Sequence, residues 1–185
     1  MNLEDFYLII LIIILFFFKD TAQCWYHNGI VGLGNNIDAC VDSIKNLIKD
    51  IKYNKIITLG TSAGGYAAIL FGILLKVDTI LSFSCQTFLD KNNRILYADD
   101  SRSEYIQKLY RSNNDAKYYD LLHLDNNVVK NIVLILGIQD QTDIKHINRM
   151  KAWSNVKIIE YNAGHAMIKS MRDDGSLLKL LTKYL

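Results

Sequence analysis

Apolar residues along this chain fall into short runs separated by polar, glycine-bearing turns, and the period of each run predicts an element. Lys55–Leu59, Thr79–Ser84, Asn131–Gly137 and Val156–Tyr161 are short and rich in β-branched residues, the pattern of strands. NIVLILG at 131–137 is continuously apolar, as expected of a strand covered on both faces. From Asn36 the apolar positions Ile37, Cys40, Val41, Ile44, Leu47, Ile48 and Ile51 recur at helical spacing. Asp38 and Asp42 come early and Lys49 and Lys52 late, as the helix dipole favours, so this segment predicts an amphipathic helix lying on a sheet. Ala63–Leu75 predicts a second helix, whose glycines and alanines would let it pack close to strands. A third contains Ile144, Ile147 and Met150, and the apolar stretch at the C-terminus is broken near Gly175. Strands alternating with helices predict one α/β domain over 1–185: a three-layer parallel sheet of about five strands with helices on both faces.

The fifth strand is sought near the N-terminus. Phe6–Phe18 holds 13 uninterrupted apolar positions, short of the roughly 20 that span a bilayer as a helix. A buried central strand over Ile10–Phe18 accounts for the run, and so does an export or membrane-associating segment over residues 6–18. Glu4 and Asp5 stand where a signal peptide carries lysine or arginine, and TAQC at 21–24 is a poor cleavage site, which favours the strand and a cytoplasmic protein.

Two stretches interrupt the rhythm. Lys19–Gly34 is a loop holding Trp25, Tyr26 and His27, and an aromatic loop at the carboxyl end of a parallel strand suits substrate contacts. Trp25 and Tyr26 could equally cover the edge of the core. The glycines at 29, 32 and 34 do not form a dinucleotide-binding fingerprint. Cys85–Lys130 is polar and rich in Asn and Asp, with helical spacing only over Ser103–Tyr110. It is expected to be a cap over a site, favoured by its tyrosines, or a solvated excursion.

Composition narrows the function. The formal net charge of +2 comes from 21 basic and 19 acidic residues mixed along the chain, which gives no footprint for nucleic acid. Cys24, Cys40 and Cys85 are too scattered for a disulfide framework or a zinc site, and there is no H-E-x-x-H motif, so neither metal nor cofactor is expected.

Chemistry concentrates at GTSAGG, residues 60–65, between a predicted strand and a predicted helix. A serine in such a turn is pushed out of the sheet, and Gly60 and Gly64 are expected to remove Cβ atoms that would collide with strand and helix. The helix that begins after Ser62 aims unpaired N–H groups at charge developing beside the serine oxygen, Ala63 N–H nearest. Asp140 and His165 also fall just past strand ends, and parallel strands share one carboxyl edge. A serine needs an imidazole to take its proton, and the imidazole needs a carboxylate to fix its tautomer. Asp143 competes with Asp140 for that last role, and the residue nearer the strand end is preferred.

In this order GTSAGG resembles the nucleophile elbow, LGIQD the acid-bearing turn and NAGHA the histidine loop of the α/β-hydrolases. More narrowly, KDTAQCWYHNGIVGLG with GTSAGGYAAILFG resembles small hydrolase-like domains seen with surface-polysaccharide or tetratricopeptide-repeat proteins. The resemblance implies a serine hydrolase cleaving an ester or similar acyl bond, of a small molecule or polysaccharide, through an acyl-Ser62 intermediate. The alternative is a catalytically weak binding module that holds a sugar or peptide at the Trp25/Tyr26 edge. One departure matters. The full fold has two strand–helix units before the nucleophile strand, the earlier supplying a second oxyanion N–H, and here there is room for one. That donor is expected in Lys19–Gln23 or from an upstream segment or partner chain that completes the sheet.

Overall fold

The computed structural model describes residues 13–112 and 115–185. Within them β1 (Ile57–Thr61), β2 (Thr79–Phe83), β3 (Asn131–Gly137) and β4 (Val156–Tyr161) form one parallel sheet in the order β1-β2-β3-β4. Parallel neighbours require crossover connections, and helices supply most of them. α1 (Ile37–Ile48) precedes the sheet, α2 (Ala63–Leu75) links β1 to β2, and α3 (Lys91–Leu96) and α4 (Ser103–Ser112) lie between β2 and β3. α5 (Gln141–Arg149) links β3 to β4, and α6 (Met167–Asp173) and α7 (Ser176–Tyr184) follow.

Side-chain alternation along the strands divides the core. Ile80, Ile132, Leu134 and Leu136 share a cluster with Ile44 of α1, Ile69 and Leu70 of α2 and Ile147 of α5. Leu81, Phe83, Val133 and Ile135 face the other way, against Met167 and Met171 of α6 and Leu177 and Leu181 of α7. The sheet is therefore covered on both faces, as the sequence predicts. α1 starts at an Asn36 cap whose side chain accepts from Ala39 N–H, and Gly175, at φ +77°, makes the break between α6 and α7.

Among the described residues the N-terminal strand is not found. Among the described residues the sheet has four strands, and Ile13–Phe18 pairs with none of them. Its exposure runs from 37% at Phe18 to 89% at Phe17. Ile10–Ile12, the rest of that predicted strand, lie outside the described residues. An uninterrupted apolar run satisfies the side-chain requirement of a two-faced strand, but only a hydrogen-bonding partner makes it one, and periodicity does not register that. Among the described residues β1 is consequently an edge strand, with Leu59 52% exposed. Among the described residues no helix is long and apolar enough to cross a membrane.

The polar segment after β2 is woven into the domain. Ile106, Leu109, Tyr118, Tyr119 and Leu121 join the cluster formed by α1, α2 and α5. Asp120 accepts both arms of the Arg149 guanidinium at 2.7 and 2.8 Å, tying this segment to α5.

Candidate active site

β1 ends at Thr61 and α2 begins at Ala63, so Ser62 alone reverses the chain, at φ 54° and ψ −120°. A side-chain-bearing residue adopts such angles only when its surroundings hold it there. The Ser62 N–H donates to Phe83 O at 2.8 Å, and its carbonyl accepts from Tyr66 N–H at 3.0 Å. A Cβ on Gly60 would lie 1.9 Å from Gly64 O, so that position must be glycine, as expected. Gly64 differs from expectation: a Cβ there would meet nothing within 4 Å. The crowded helical glycine is Gly65, whose Cβ would fall 2.8 Å from Ser82 Oγ and 2.9 Å from Cys85 Cβ. One step of 100° along α2 turns position 64 outward and position 65 onto β2.

The histidine loop is held against the turn after β3 by backbone. Ile138 N–H donates to Tyr161 O and Gln139 N–H to Ala163 O, each at 3.0 Å. Gly137 permits the approach, since a Cβ on it would lie 2.4 Å from Gly164 O. His165 then places Nε2 3.0 Å from Ser62 Oγ and Nδ1 2.8 Å from Asp143 Oδ1. Ser62 and His165 thus meet as the sequence predicts.

The carboxylate on His165 belongs to Asp143 and not to Asp140. Asp140 is the N-cap of α5: its Oδ1 accepts from Thr142 and Asp143 N–H, each at 2.9 Å. Asp143, in the first turn, is buried and turned to the imidazole. The spacing D-x-x-D signals this arrangement, because a capping aspartate spends its oxygen on the backbone three residues on. One ligand atom each from Asp140, Asp143 and His165 lies within 4.8 Å of the others, a grouping that could hold a cation. Nδ1 of that histidine, however, is already engaged by Asp143.

Trp25 is 3% exposed, part of the main core, with Nε1 donating to Gln86 Oε1 at 3.1 Å, so it offers no face to a ligand. Tyr26 packs edge-on against Phe71 and donates its hydroxyl to Phe18 O. The aromatic edge expected to bind substrate is core covering: Asp20 accepts from the N–H groups of Cys24 and Tyr26 and folds the loop inward. In the Lys19–Gln23 stretch, where a second oxyanion donor was sought, the Gln23 N–H donates to Asp20 O. Cys85, beside the elbow, is no rival nucleophile, because burial pushes its thiol up to about 12.

One residue at the site has no sequence signal. Arg102, between α3 and α4, brings Nη2 to 2.8 Å from His165 Nε2. In the sequence it is one arginine in a polar stretch, and only the tertiary fold delivers it.

No family model matches the chain, and no curated protein does. Solved structures do match. An α/β hydrolase from the metagenome of sediments of the Mar Chica lagoon, Morocco, superimposes with TM-score 0.55 at 17% identity, over 83% of this chain and 73% of that one. The capsule O-acetyltransferase of Neisseria meningitidis serogroup A does so with TM-score 0.54 at 19% identity, over 77% of this chain and 64% of that one. At such identities the likeness is one of fold. The chain has an α/β-hydrolase fold.

Proposed function

We propose that this protein is a serine hydrolase that cleaves an ester or similar acyl bond through an acyl-Ser62 intermediate. The observation that supports this reading is the hydrogen-bonded line Ser62 Oγ to His165 Nε2 to Asp143, at 3.0 and 2.8 Å, on a strained elbow. The Asp143 carboxylate keeps a proton on Nδ1 and so leaves the Nε2 lone pair to act as base. As Oγ attacks the acyl carbon, its proton passes to Nε2. The oxyanion that forms meets Ala63 N–H, which has no acceptor within α2 because it opens that helix. Collapse breaks the bond to the leaving oxygen, and Nε2 returns the proton to it. Water then attacks the acyl-serine, gives its proton to Nε2, and releases the acid as Ser62 recovers its hydrogen.

Substrates are proposed to be acyl esters of a small molecule or polysaccharide. The capsule O-acetyltransferase among the neighbours supports the second choice only as far as a shared fold can. Ser62→Ala and His165→Ala should each abolish hydrolysis of short p-nitrophenyl esters with the fold retained, and should not be additive, because the two act as a unit. Equal turnover by wild type and Ser62→Ala would overturn the reading.

A further inference from the structure

Arg102 stands on the atom that has to receive the Ser62 proton. With Nδ1–H turned to Asp143, Nε2 has one lone pair. The Arg102 N–H at 2.8 Å and the Ser62 hydroxyl at 3.0 Å compete for it. Among the described residues no carboxylate pairs with this guanidinium. Its side chain is exposed, so the N–H groups not turned to Nε2 stay hydrated and open to an anionic group that enters the site.

The backbone that presents Arg102 is built. It sits at φ +52°, and its neighbours are clamped. Buried Asp99 accepts from Ser101 N–H and Arg94 Nη1, each at 2.9 Å, and Arg94 Nη2 donates to Ser101 O at 2.9 Å. His146 on α5, one turn beyond Asp143, brings Nε2 to 3.4 Å from Asp99. Its Nδ1 accepts from Thr87 N–H, so its proton faces that carboxylate. Burial opposes the charge on Asp99, but these hydrogen bonds and Arg94 hold its carboxyl well below the usual range. The helix that supplies the acid thus also fixes the turn that supplies the arginine, whose side chain remains exposed.

Resting on the hydrolase reading, we propose that Arg102 recognises an anionic group, carboxylate or phosphate, on the leaving half of the substrate. Nε2 is the atom that hands the proton to the leaving oxygen, so a guanidinium against it lies on the path of that half. An anion there takes the N–H groups bidentately, draws the guanidinium off Nε2 and frees the lone pair for Ser62. A neutral substrate leaves the competition in place.

The test compares kcat/KM for three acetate esters, of 4-hydroxybenzoate, of 4-hydroxyphenyl phosphate and of methyl 4-hydroxybenzoate, in wild type, Arg102→Gln and Arg102→Lys. Arg102→Gln should lower kcat/KM for the better anionic ester by about tenfold or more, the scale of one charge-assisted hydrogen bond, and raise it for the neutral ester. Arg102→Lys should keep part of the preference. Whichever anionic ester loses more identifies the source as carboxylate or phosphate. Parallel changes on all three esters, or none, would overturn the proposal. A neutral fluorophosphonate separates the two readings. If it labels Ser62 while the ester ratios stay fixed, Arg102 recognition alone fails. If it labels nothing and no ester turns over, the hydrolase reading fails, and calorimetric binding of 4-hydroxybenzoate and 4-hydroxyphenyl phosphate then decides: at least one must bind wild type about tenfold more tightly than Arg102→Gln, and equal affinities for both overturn the anion site.

Discussion

His165 Nδ1 lies 2.8 Å from Asp143 Oδ1 and 3.1 Å from Oδ2, while Asp140, one residue beyond β3's turn, faces the backbone of α5. Asp143→Asn should therefore lower ester turnover by about 10⁴-fold, because an amide there no longer enforces the Nδ1–H tautomer. Asp140→Asn should change turnover by no more than a few-fold, since asparagine caps a helix about as well as aspartate. Steady-state kinetics on the two variants decide the matter, and the opposite ranking would return the acid role to Asp140.

What the sequence made legible was the sheet's order of use. Three polar residues following three predicted strands must gather at one edge, and Ser62, Asp140 and His165 do, with Asp140 turned to the backbone of α5. The choice between two aspartates three residues apart was legible only as capping grammar, because both follow the same strand and helix phase decides which one faces the imidazole. Trp25 could not be placed from its own surroundings. It lies within the main core cluster, and its indole N–H is satisfied by Gln86, 61 residues away in the chain. Arg102 was invisible for the same reason, since its meaning comes from His165 and from a buried Asp99–His146 contact that no local pattern encodes.

The elbow gives a second prediction. Gly60→Ala would drive a methyl to 1.9 Å from the Gly64 carbonyl oxygen, a clash with backbone that cannot swing aside. Gly64→Ala meets open space within α2 and gains helix propensity, about 0.5–1 kcal/mol. Urea melts should show Gly60→Ala strongly destabilised or unfolded and Gly64→Ala at least as stable as wild type. Because a methyl there meets nothing within 4 Å, any loss of activity in Gly64→Ala should come without loss of stability.

Asp120 and Arg149 give a third. Their side chains are only 8% and 7% exposed, and the guanidinium also lies 5.1 Å from the Phe88 ring centre. Burial works against the Asp120 carboxylate, and the paired guanidinium outweighs it. Arg149→Ala strands that carboxylate and should cost about 3–5 kcal/mol in chemical denaturation. Arg149→Lys should recover only part, because an ammonium cannot make the two parallel bonds. A loss below about 1 kcal/mol for Arg149→Ala would mean that the pair behaves as a solvated surface bridge.

The last prediction concerns acid sensitivity in a window above that of the carboxylates. His27 is 2% exposed, its Nε2 is 3.1 Å from Tyr66 Oη, and the edge of the Tyr119 ring packs against it. Tyr66 donates its hydroxyl to Tyr118 O, so Nε2–H of His27 must donate to the tyrosine oxygen. Burial lowers this imidazole from 6.5 to about 4, against an opposing pull from Asp115. Because the folded value lies below the unfolded one, the unfolded chain binds the extra proton first. The neutral, buried histidine therefore contributes its stability in full above pH 6.5 and loses it as the pH falls toward 4, by up to about 3 kcal/mol. Asp99 and Asp120, whose carboxyls are held below the usual range, add their own loss only at lower pH. His27→Gln keeps an N–H donor for Tyr66 but cannot charge. Melting temperatures recorded from pH 7 to pH 4.5 should fall in wild type and stay closer to level in this variant. Parallel curves over that interval would remove His27 as the cause and leave the acid sensitivity to the carboxylates alone.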